Sequence, residues 1–287
     1  MSAALQHNGQ PHPLALRQAS QRPAWCRPLL ALAGGKHGRP DDRFVYLSDV
    51  LQTAWQGVEY AGVPDGGSLL VLGLGPIGDM ACRIAQQRWI DKIIAVDLVD
   101  ARLERALAQG IQVIDLREHE DDLSEVVREL TDGRGPDSVL DAVGMEAHGS
   151  PAAAFAQRVT AHLPDAVTEP LMKKAGFDRL AALYTAIETL RRGGTVSPSG
   201  VYGGMADPMP MMSLFDKEIQ LRMGQAYVKR WIPDIMPFLT DDDPLGVVEF
   251  ATHRLPLADA AAAYEMFQRK ADGAVKIMVK PWGMTRS

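Results

Sequence analysis

Apolar and polar positions alternate between two periods along most of this chain. Ser68-Leu-Leu-Val-Leu72 is a short continuous apolar run, the pattern of a strand covered on both faces. It runs into Gly73-Leu-Gly-Pro-Ile-Gly78, and a helical period follows at once, to about Arg88. The same alternation then repeats. Lys92-Ile-Ile-Ala-Val-Asp97 predicts strand two, and Arg102, Leu103, Ala106 and Leu107 a helix closed by Gly110. Gln112–Leu116 predicts strand three, Leu123–Leu130 an amphipathic helix, and Ser138–Gly144 strand four. Residues 145–176 are a long crossover broken by Pro151, Pro164 and Pro170. Leu180, Leu183, Ile187 and Leu190 define a helix over Arg179–Arg192, stopped by Gly193-Gly194. Thr195–Val201 predicts strand five, Glu218–Met223 strand six, and Tyr227–Leu239 the next helix. Pro198 is awkward inside strand five, because a ladder there lacks a donor. Strands alternating with helices six times over predict an α/β fold, a doubly wound parallel sheet of order 3-2-1-4-5-6.

Flanking segments read differently. Residues 1–40 contain no Asp or Glu and carry Arg17, Arg22, Arg27, Lys36 and Arg39, so they are expected to be a poorly ordered leader, with a transit peptide as the lesser reading. Phe44–Leu47 reads as a short strand. Ser48 or Asp49 then caps a helix with Val50, Leu51, Ala54, Val58 and Ala61 on one face. After residue 250 the character changes. His253–Leu257 leads into an Ala-rich helix from about Ala258 to Arg269, and Gly273–Lys280 ends the organised chain as a strand. The expected organisation is a leader (1–40), a nucleotide-binding domain with its preceding strand and helix (41–250), and a C-terminal helix and strand (251–287).

The glycine cluster carries the first chemistry. In Gly73-x-Gly75-x-x-Gly78, Gly73 permits the tight turn out of the strand, Gly75 lets backbone approach a pyrophosphate, and Gly78 lets helix and strand pack closely. The helix that follows aims free N–H groups and its positive end at an anion. Asp97 ends strand two, 24 positions after Gly73. A carboxylate there accepts bonds from adenosine ribose hydroxyls and repels a 2′-phosphate, which favours NAD over NADP. The fold is therefore expected to be a Rossmann domain holding NAD.

Composition removes several other classes. The chain has 287 residues, 46% hydrophobic and 23% charged, as in ordinary globular proteins. No apolar run reaches the roughly 20 residues of a membrane helix. A net charge of −6 and the lack of a basic stripe argue against nucleic acid. Cys26 and Cys82 make no disulfide framework and fit a cytoplasmic protein. Cys82 lies inside the first helix of the glycine turn and reads as a core thiol. No Tyr is followed four residues later by Lys, and no Gly-x-Ser-x-Gly elbow occurs.

The chain resembles the medium-chain, zinc-type alcohol dehydrogenase family over roughly residues 41–281. Within it, the chain resembles the group that includes glutathione-independent formaldehyde dehydrogenase. The resemblance is carried by Leu47-Ser-Asp49, Gly73–Gly78, Val96-Asp97 with Arg102-Leu103, Asp141-Ala-Val-Gly144, Ser199-Gly-Val-Tyr202, and Leu255-Pro-Leu with Ala263-Tyr and Gly273-Ala-Val-Lys276. It implies an NAD-dependent alcohol or aldehyde dehydrogenase in which zinc polarises the substrate oxygen. It implies that Ile77, Asp97, Arg102, Val143, Ser199, Val201 and Gly224 line the NAD site. Gly73, Gly75, Pro76, Gly78 and Gly144 complete that set, and His148 is a polar contact from the crossover. Arg102 would lie by the adenosine end, and Val143 and Val201 would press on the nicotinamide, with core packing as the other reading of the two valines.

The resemblance also implies that Asp49 matches the third protein ligand of a catalytic zinc. In the family the other ligands come from an N-terminal GroES-like domain, which this sequence is expected to lack. The plainer reading of Asp49 is a helix-capping acid. A makeshift site from Cys26, His37 and Asp49 is the third reading. The family usually stops its first Rossmann helix at a glycine, and this chain has Arg88-Trp89-Ile90 there. The implied partners are NAD, a small alcohol or aldehyde, and a second copy of the chain meeting near strand six. Apolar surface near residues 44–60 and 255–280 would add to association. The alternative to an enzyme is a truncated, non-catalytic dinucleotide-binding protein.

Overall fold

The structure, a computed structural model, describes residues 42–144, 180–202 and 209–280. Packing divides the chain into two units, Met1–Tyr46 and Leu47–Ser287. Asp42–Ser48 is a 3-10 helix, not the strand expected at Phe44–Leu47. A helix starts only two residues later at Val50, and a tight turn of 3-10 type commonly leads into a helix.

That helix, α1 (Val50–Ala61), is followed by β1 (Ser68–Leu72), α2 (Pro76–Gln87), β2 (Lys92–Asp97), α3 (Asp100–Leu107), β3 (Gln112–Asp115), α4 (Leu123–Glu129) and β4 (Ser138–Asp141). A helix described over residues 180–189, α5, precedes β5 (Thr195–Pro198). Then come α6 (Met211–Asp216), β6 (Gln220–Leu221), α7 (Val228–Ile235), β7 (His253–Pro256), α8 (Ala260–Gln268) and β8 (Ile277–Lys280). No helix among the described residues is long and apolar enough to cross a membrane.

Six strands form one parallel sheet of order β3-β2-β1-β4-β5-β6. In β1, Ser68–Leu72 pairs with Lys92–Val96 of β2 on one side, and Leu69–Leu72 with Ser138–Asp141 of β4 on the other. All five residues of β1 are buried, as a strand covered on both faces requires. Alternate positions serve opposite layers. Leu70, Leu72, Ile94, Val96, Ile114, Val139 and Val196 pack with Leu123 and Val127 of α4 and with Leu183 and Ile187 of α5. Leu140 and Val71 point the other way, toward Gly57 of α1 and Gly78 of α2. A separate parallel pair, β7 with β8, runs from His253–Ile277 to Pro256–Lys280.

Several element ends differ from the sequence expectation. α1 is buried on nearly all sides, including Gln52 and Gln56, rather than along one stripe. α2 stops at Gln87, and Trp89 takes the left-handed conformation (φ 57°) that a glycine would normally supply. Strand six shrinks to two residues, with Glu218 also at positive φ (56°) just before it. The helix expected over Tyr227–Leu239 is α7 plus a 3-10 turn, Met236–Phe238, with Pro233 inside α7. Strand five ends at Pro198, and its ladder explains why proline is tolerated. The Thr195 and Ser199 amides donate toward β4, whereas Val196 accepts from Arg222 on the β6 side. Alternation turns the nitrogen of Pro198 toward β6 as well, and β6 has already ended at Leu221.

Candidate functional site

β1 lies between β2 and β4, so the connection after β1 runs to one side of it and the connection after β3 brings the chain to the other. A crevice at the carboxyl ends of the strands is the geometric consequence. Gly73 begins the turn there at φ 86°, its N–H donating to Val96 O at 2.8 Å. A Cβ on Gly73 would stand 2.7 Å from Val143 Cγ2. A Cβ on Gly78 would stand 1.8 Å from the Gly73 carbonyl oxygen, so only glycine lets α2 approach β1 this closely. The region around Gly75 is open, with Arg102 Nη1 the nearest atom at 3.9 Å from a Cβ built there. α2 starts with Pro76, and its first intrahelical bond is Asp79 N–H to Gly75 O at 3.0 Å. The Ile77 and Gly78 amides lie in the first turn, where no intrahelical acceptor exists and the dipole is positive.

Asp97 is buried at the end of β2. Its Oδ2 accepts from Leu74 N–H at 2.6 Å, and its Oδ1 from Leu98 and Val99 N–H at 2.7 and 2.9 Å. The first of these bonds ties β2 to the glycine turn. Arg102, in the first turn of α3, brings Nη1 to 3.5 Å from Asp97 Oδ2, and its Nε is buried with no hydrogen-bond partner. Asp97, Arg102, Gly75 and the start of α2 therefore converge.

The opposite wall is organised by Asp141, which is fully buried at the end of β4. Its Oδ1 accepts from Val143 N–H at 2.9 Å and Gly144 N–H at 3.1 Å. Its backbone oxygen accepts from Ser199 N–H at 2.8 Å and Gly200 N–H at 3.0 Å. Its Oδ2 accepts from the Tyr202 hydroxyl. Burial, and then the Asp141 charge, push the Tyr202 phenol well above its ordinary value, so it stays a protonated donor. Gly144 (φ 59°) and Gly200 touch: a Cβ on Gly200 would lie 2.2 Å from Gly144 N. Val143 is partly buried against the sheet core, whereas Val201 is 80% exposed, so core packing is not the role of Val201. The Ser199 side chain points away toward α1, where a Cβ on Gly57 would meet its Oγ at 2.5 Å.

Gly224 sits on an exposed stretch after β6, and its position is set by one amide. Buried Gln56 donates through Nε2 to Gly224 O (2.9 Å) and Gln225 O (3.1 Å), and accepts through Oε1 from Tyr227 N–H and Trp231 Nε1–H, both at 3.0 Å. α1 runs antiparallel to the strands: Ala61 O meets Ser138 Oγ at the start of β4, and Gly57 O meets Ser197 Oγ near the end of β5. Its first residues, with Asp49, therefore lie at the carboxyl edge of the sheet. Asp49 makes no side-chain cap bond; its Oδ1 accepts from Thr53 Oγ1 at 3.1 Å. Among the described residues, no three His, Cys, Asp or Glu side chains come together as metal ligands. The described residues do not fit a catalytic zinc, which needs about three protein ligands. His148, Cys26 and His37 lie outside the described residues, as does the crossover over 145–176. Cys82 is buried in α2, and that burial, reinforced by Asp79, pushes its thiol well above the ordinary range, which makes it inert core.

The expected cofactor residues Gly73, Gly75, Pro76, Ile77, Gly78, Asp97, Arg102, Val143, Gly144, Ser199, Val201 and Gly224 thus all lie on strand ends, loops or helix starts at one edge of the sheet. The sequence reading did not single out Gln56, Asp141 and Tyr202 as residues that hold those loops. No sequence signal marked Gln56, which lies off the apolar face of α1 made by Val50, Leu51, Ala54, Val58 and Ala61.

Residues 76–158 match the zinc-binding dehydrogenase family. The chain is 31% identical over 245 residues to an uncharacterized zinc-type alcohol dehydrogenase-like protein, AdhB, of Bacillus subtilis, covering 84% of this chain and 60% of that one. It is 29% identical to a probable zinc-binding alcohol dehydrogenase of Mycobacterium tuberculosis, over 85% of this chain and 53% of the relative. Among solved structures it is similar to the alcohol dehydrogenase TADH from Thermus sp. ATN1, with a TM-score of 0.65, 31% identity, and coverage of 82% of this chain and 57% of that one. The chain thus spans little more than half the length of these relatives.

Proposed function

We propose, on the premise that residues 76–158 are a zinc-binding dehydrogenase segment, that this chain is the NAD-holding part of an oxidoreductase acting on a small alcohol or aldehyde. The observation that carries the reading is the convergence of a glycine turn that excludes any Cβ, the open start of α2, and the buried Asp97 carboxylate. The Ile77 and Gly78 amides would receive the pyrophosphate. Asp97 would take the adenosine ribose by exchanging its loose contact with Arg102, and its charge would reject a 2′-phosphate. Val143 and Val201 would flank the nicotinamide, and Gly224 would close the far lip. NAD, when bound, supplies a hydride acceptor. The chain's own residues bind and orient it and exclude water from one face of the ring.

Zinc belongs to this proposal only through the relatives. Asp49 stands at the carboxyl end of the sheet, but among the described residues no three potential ligands come together, so no step is derived through a metal. A completed enzyme would draw its remaining ligands and most of its substrate pocket from outside the described residues. Formaldehyde as substrate rests on the sequence resemblance alone. The division into a nucleotide-binding part (41–250) and a C-terminal helix and strand (251–287), a cytoplasmic location and a homo-oligomer belong to the same proposal. A second reading is a dinucleotide-binding protein without catalysis. Calorimetric titration of the purified chain with NAD and NADP, with metal analysis, tests both. NAD bound at least tenfold more tightly than NADP supports the site. Absence of NAD binding overturns it. Binding with near-stoichiometric zinc favours the enzyme, and binding without zinc favours the second reading.

A further inference from the structure

We propose that Tyr202 is a positioning residue for the nicotinamide end of the cleft, acting as a latch on Asp141 that holds the two valine-bearing loops in one arrangement. The inference rests on the NAD reading above. Asp141 is the shared anchor. Its carboxylate Oδ1 fixes the β4 loop through the Val143 and Gly144 amides. Its carbonyl fixes the start of the β5 loop through the Ser199 and Gly200 amides. The chain then swings outward at Val201, 80% exposed, and returns at Tyr202, whose hydroxyl donates to Asp141 Oδ2.

Val201 is therefore presented between two tethers on the same residue. With the tyrosine hydroxyl removed, Val201 would keep the Gly200 amide bond on one side and only the packing of the ring on the sheet core on the other, and glycine gives little stiffness. The close approach of Gly144 and Gly200 leaves no room for a side chain to do the job instead. The adenosine end is set by separate bonds, from Leu74, Leu98 and Val99 to Asp97. The latch should thus affect one end of the dinucleotide and leave the other untouched.

The experiment compares NADH, followed by its own fluorescence, with ADP-ribose, which lacks the nicotinamide, on the full chain and on Tyr202→Phe. Phenylalanine keeps the ring that packs on the sheet core and deletes the hydroxyl. The expected result is about a tenfold loss of NADH affinity, equivalent to ~1.4 kcal/mol, with ADP-ribose changed by less than about twofold. Equal losses for both ligands, or no loss for either, would overturn the latch while leaving NAD binding in place. If the unaltered chain bound neither ligand, the NAD reading would fall and the latch with it. Should Tyr202→Phe not fold, Tyr202→Leu, which also lacks the hydroxyl and fills part of the ring's space, is expected to show the same selective loss.

Discussion

At the residue scale, three side-chain positions carry sharp expectations. Gly78 admits no Cβ, since the Gly73 carbonyl is 1.8 Å from where one would sit. Gly78→Ala should lower stability by more than about 2 kcal/mol, a small-to-large change where backbone cannot retreat, and should abolish NAD binding even below the melting transition; chemical denaturation with parallel NADH titration checks both. Trp89 is the opposite case. It is 87% exposed and held at φ 57°. A left-handed non-glycine residue costs roughly 1–2 kcal/mol, and glycine gives back part of that in unfolded-chain entropy. Trp89→Gly should therefore stabilise the chain by about 0.5–1 kcal/mol, read from denaturant midpoints.

Asp137 sets an acid limit. It accepts from Ser68 N–H and Oγ–H, both at 2.9 Å, and from Arg191 Nε at 2.5 Å. Burial works against its charge, but Arg191 and Ser68 outweigh it and hold the carboxyl below its ordinary 3.8. A lowered folded-state value gives stability that is complete above the unfolded pKa and is lost as pH falls through the folded one. The melting-temperature gap between the unaltered chain and Asp137→Asn should be wide near neutrality and close as pH drops below 3.8. A gap that stays constant across the titration would count against this linkage.

At the element scale, the decisive contacts join helices to segments far along the chain. α1 is a central strut, and Gln56 is its key residue because one amide satisfies four partners between Gly224 and Trp231. Gln56→Leu keeps the volume but leaves two carbonyls and two N–H groups to find water. Each stranded buried group costs about 1–3 kcal/mol where water cannot reach, and the stretch after β6 is exposed, so a total of about 2–4 kcal/mol is expected in thermal or denaturant unfolding. Proteolysis should shift to residues 222–227 in the same variant. The segment after α7 is tethered by a second network. Arg83 and Arg105 flank the Phe250 ring at 5.5 and 5.3 Å and share buried Asp79.

At the scale of the whole molecule, the exposed apolar side chains are not evenly spread. Met211, Met212 and Phe215 of α6 are 65–82% exposed, directly before the two-residue edge strand β6, with Met223 and Tyr227 exposed just after it. An edge strand beside such a patch favours pairing with another chain. Sedimentation equilibrium should show self-association, and the double change Met212→Ser and Phe215→Ser should weaken it by at least about tenfold. A monomer in both proteins would refute the patch as an interface. Expected apolar surface near residues 44–60 is mostly buried within α1, whereas Leu257 and Tyr264 in the C-terminal part are exposed.

The sequence by itself determined what local pattern can determine. Strand-helix alternation foretold the sheet order, because buried parallel strands are apolar throughout and right-handed crossovers leave few topologies. The Gly73–Gly78 turn and the Asp97 carboxylate that ties it to β2 were legible because they lie within about 24 positions of chain. Element ends were less legible: nothing local marks Trp89 as the residue that takes a glycine conformation, or the point at which β6 stops. Only the tertiary structure decided which residues hold the site. Tyr202 reaches Asp141 from 61 positions away and Trp231 reaches Gln56 from 175. Bonds of that kind leave no periodicity, because a polar side chain is buried only where packing happens to bring its partner.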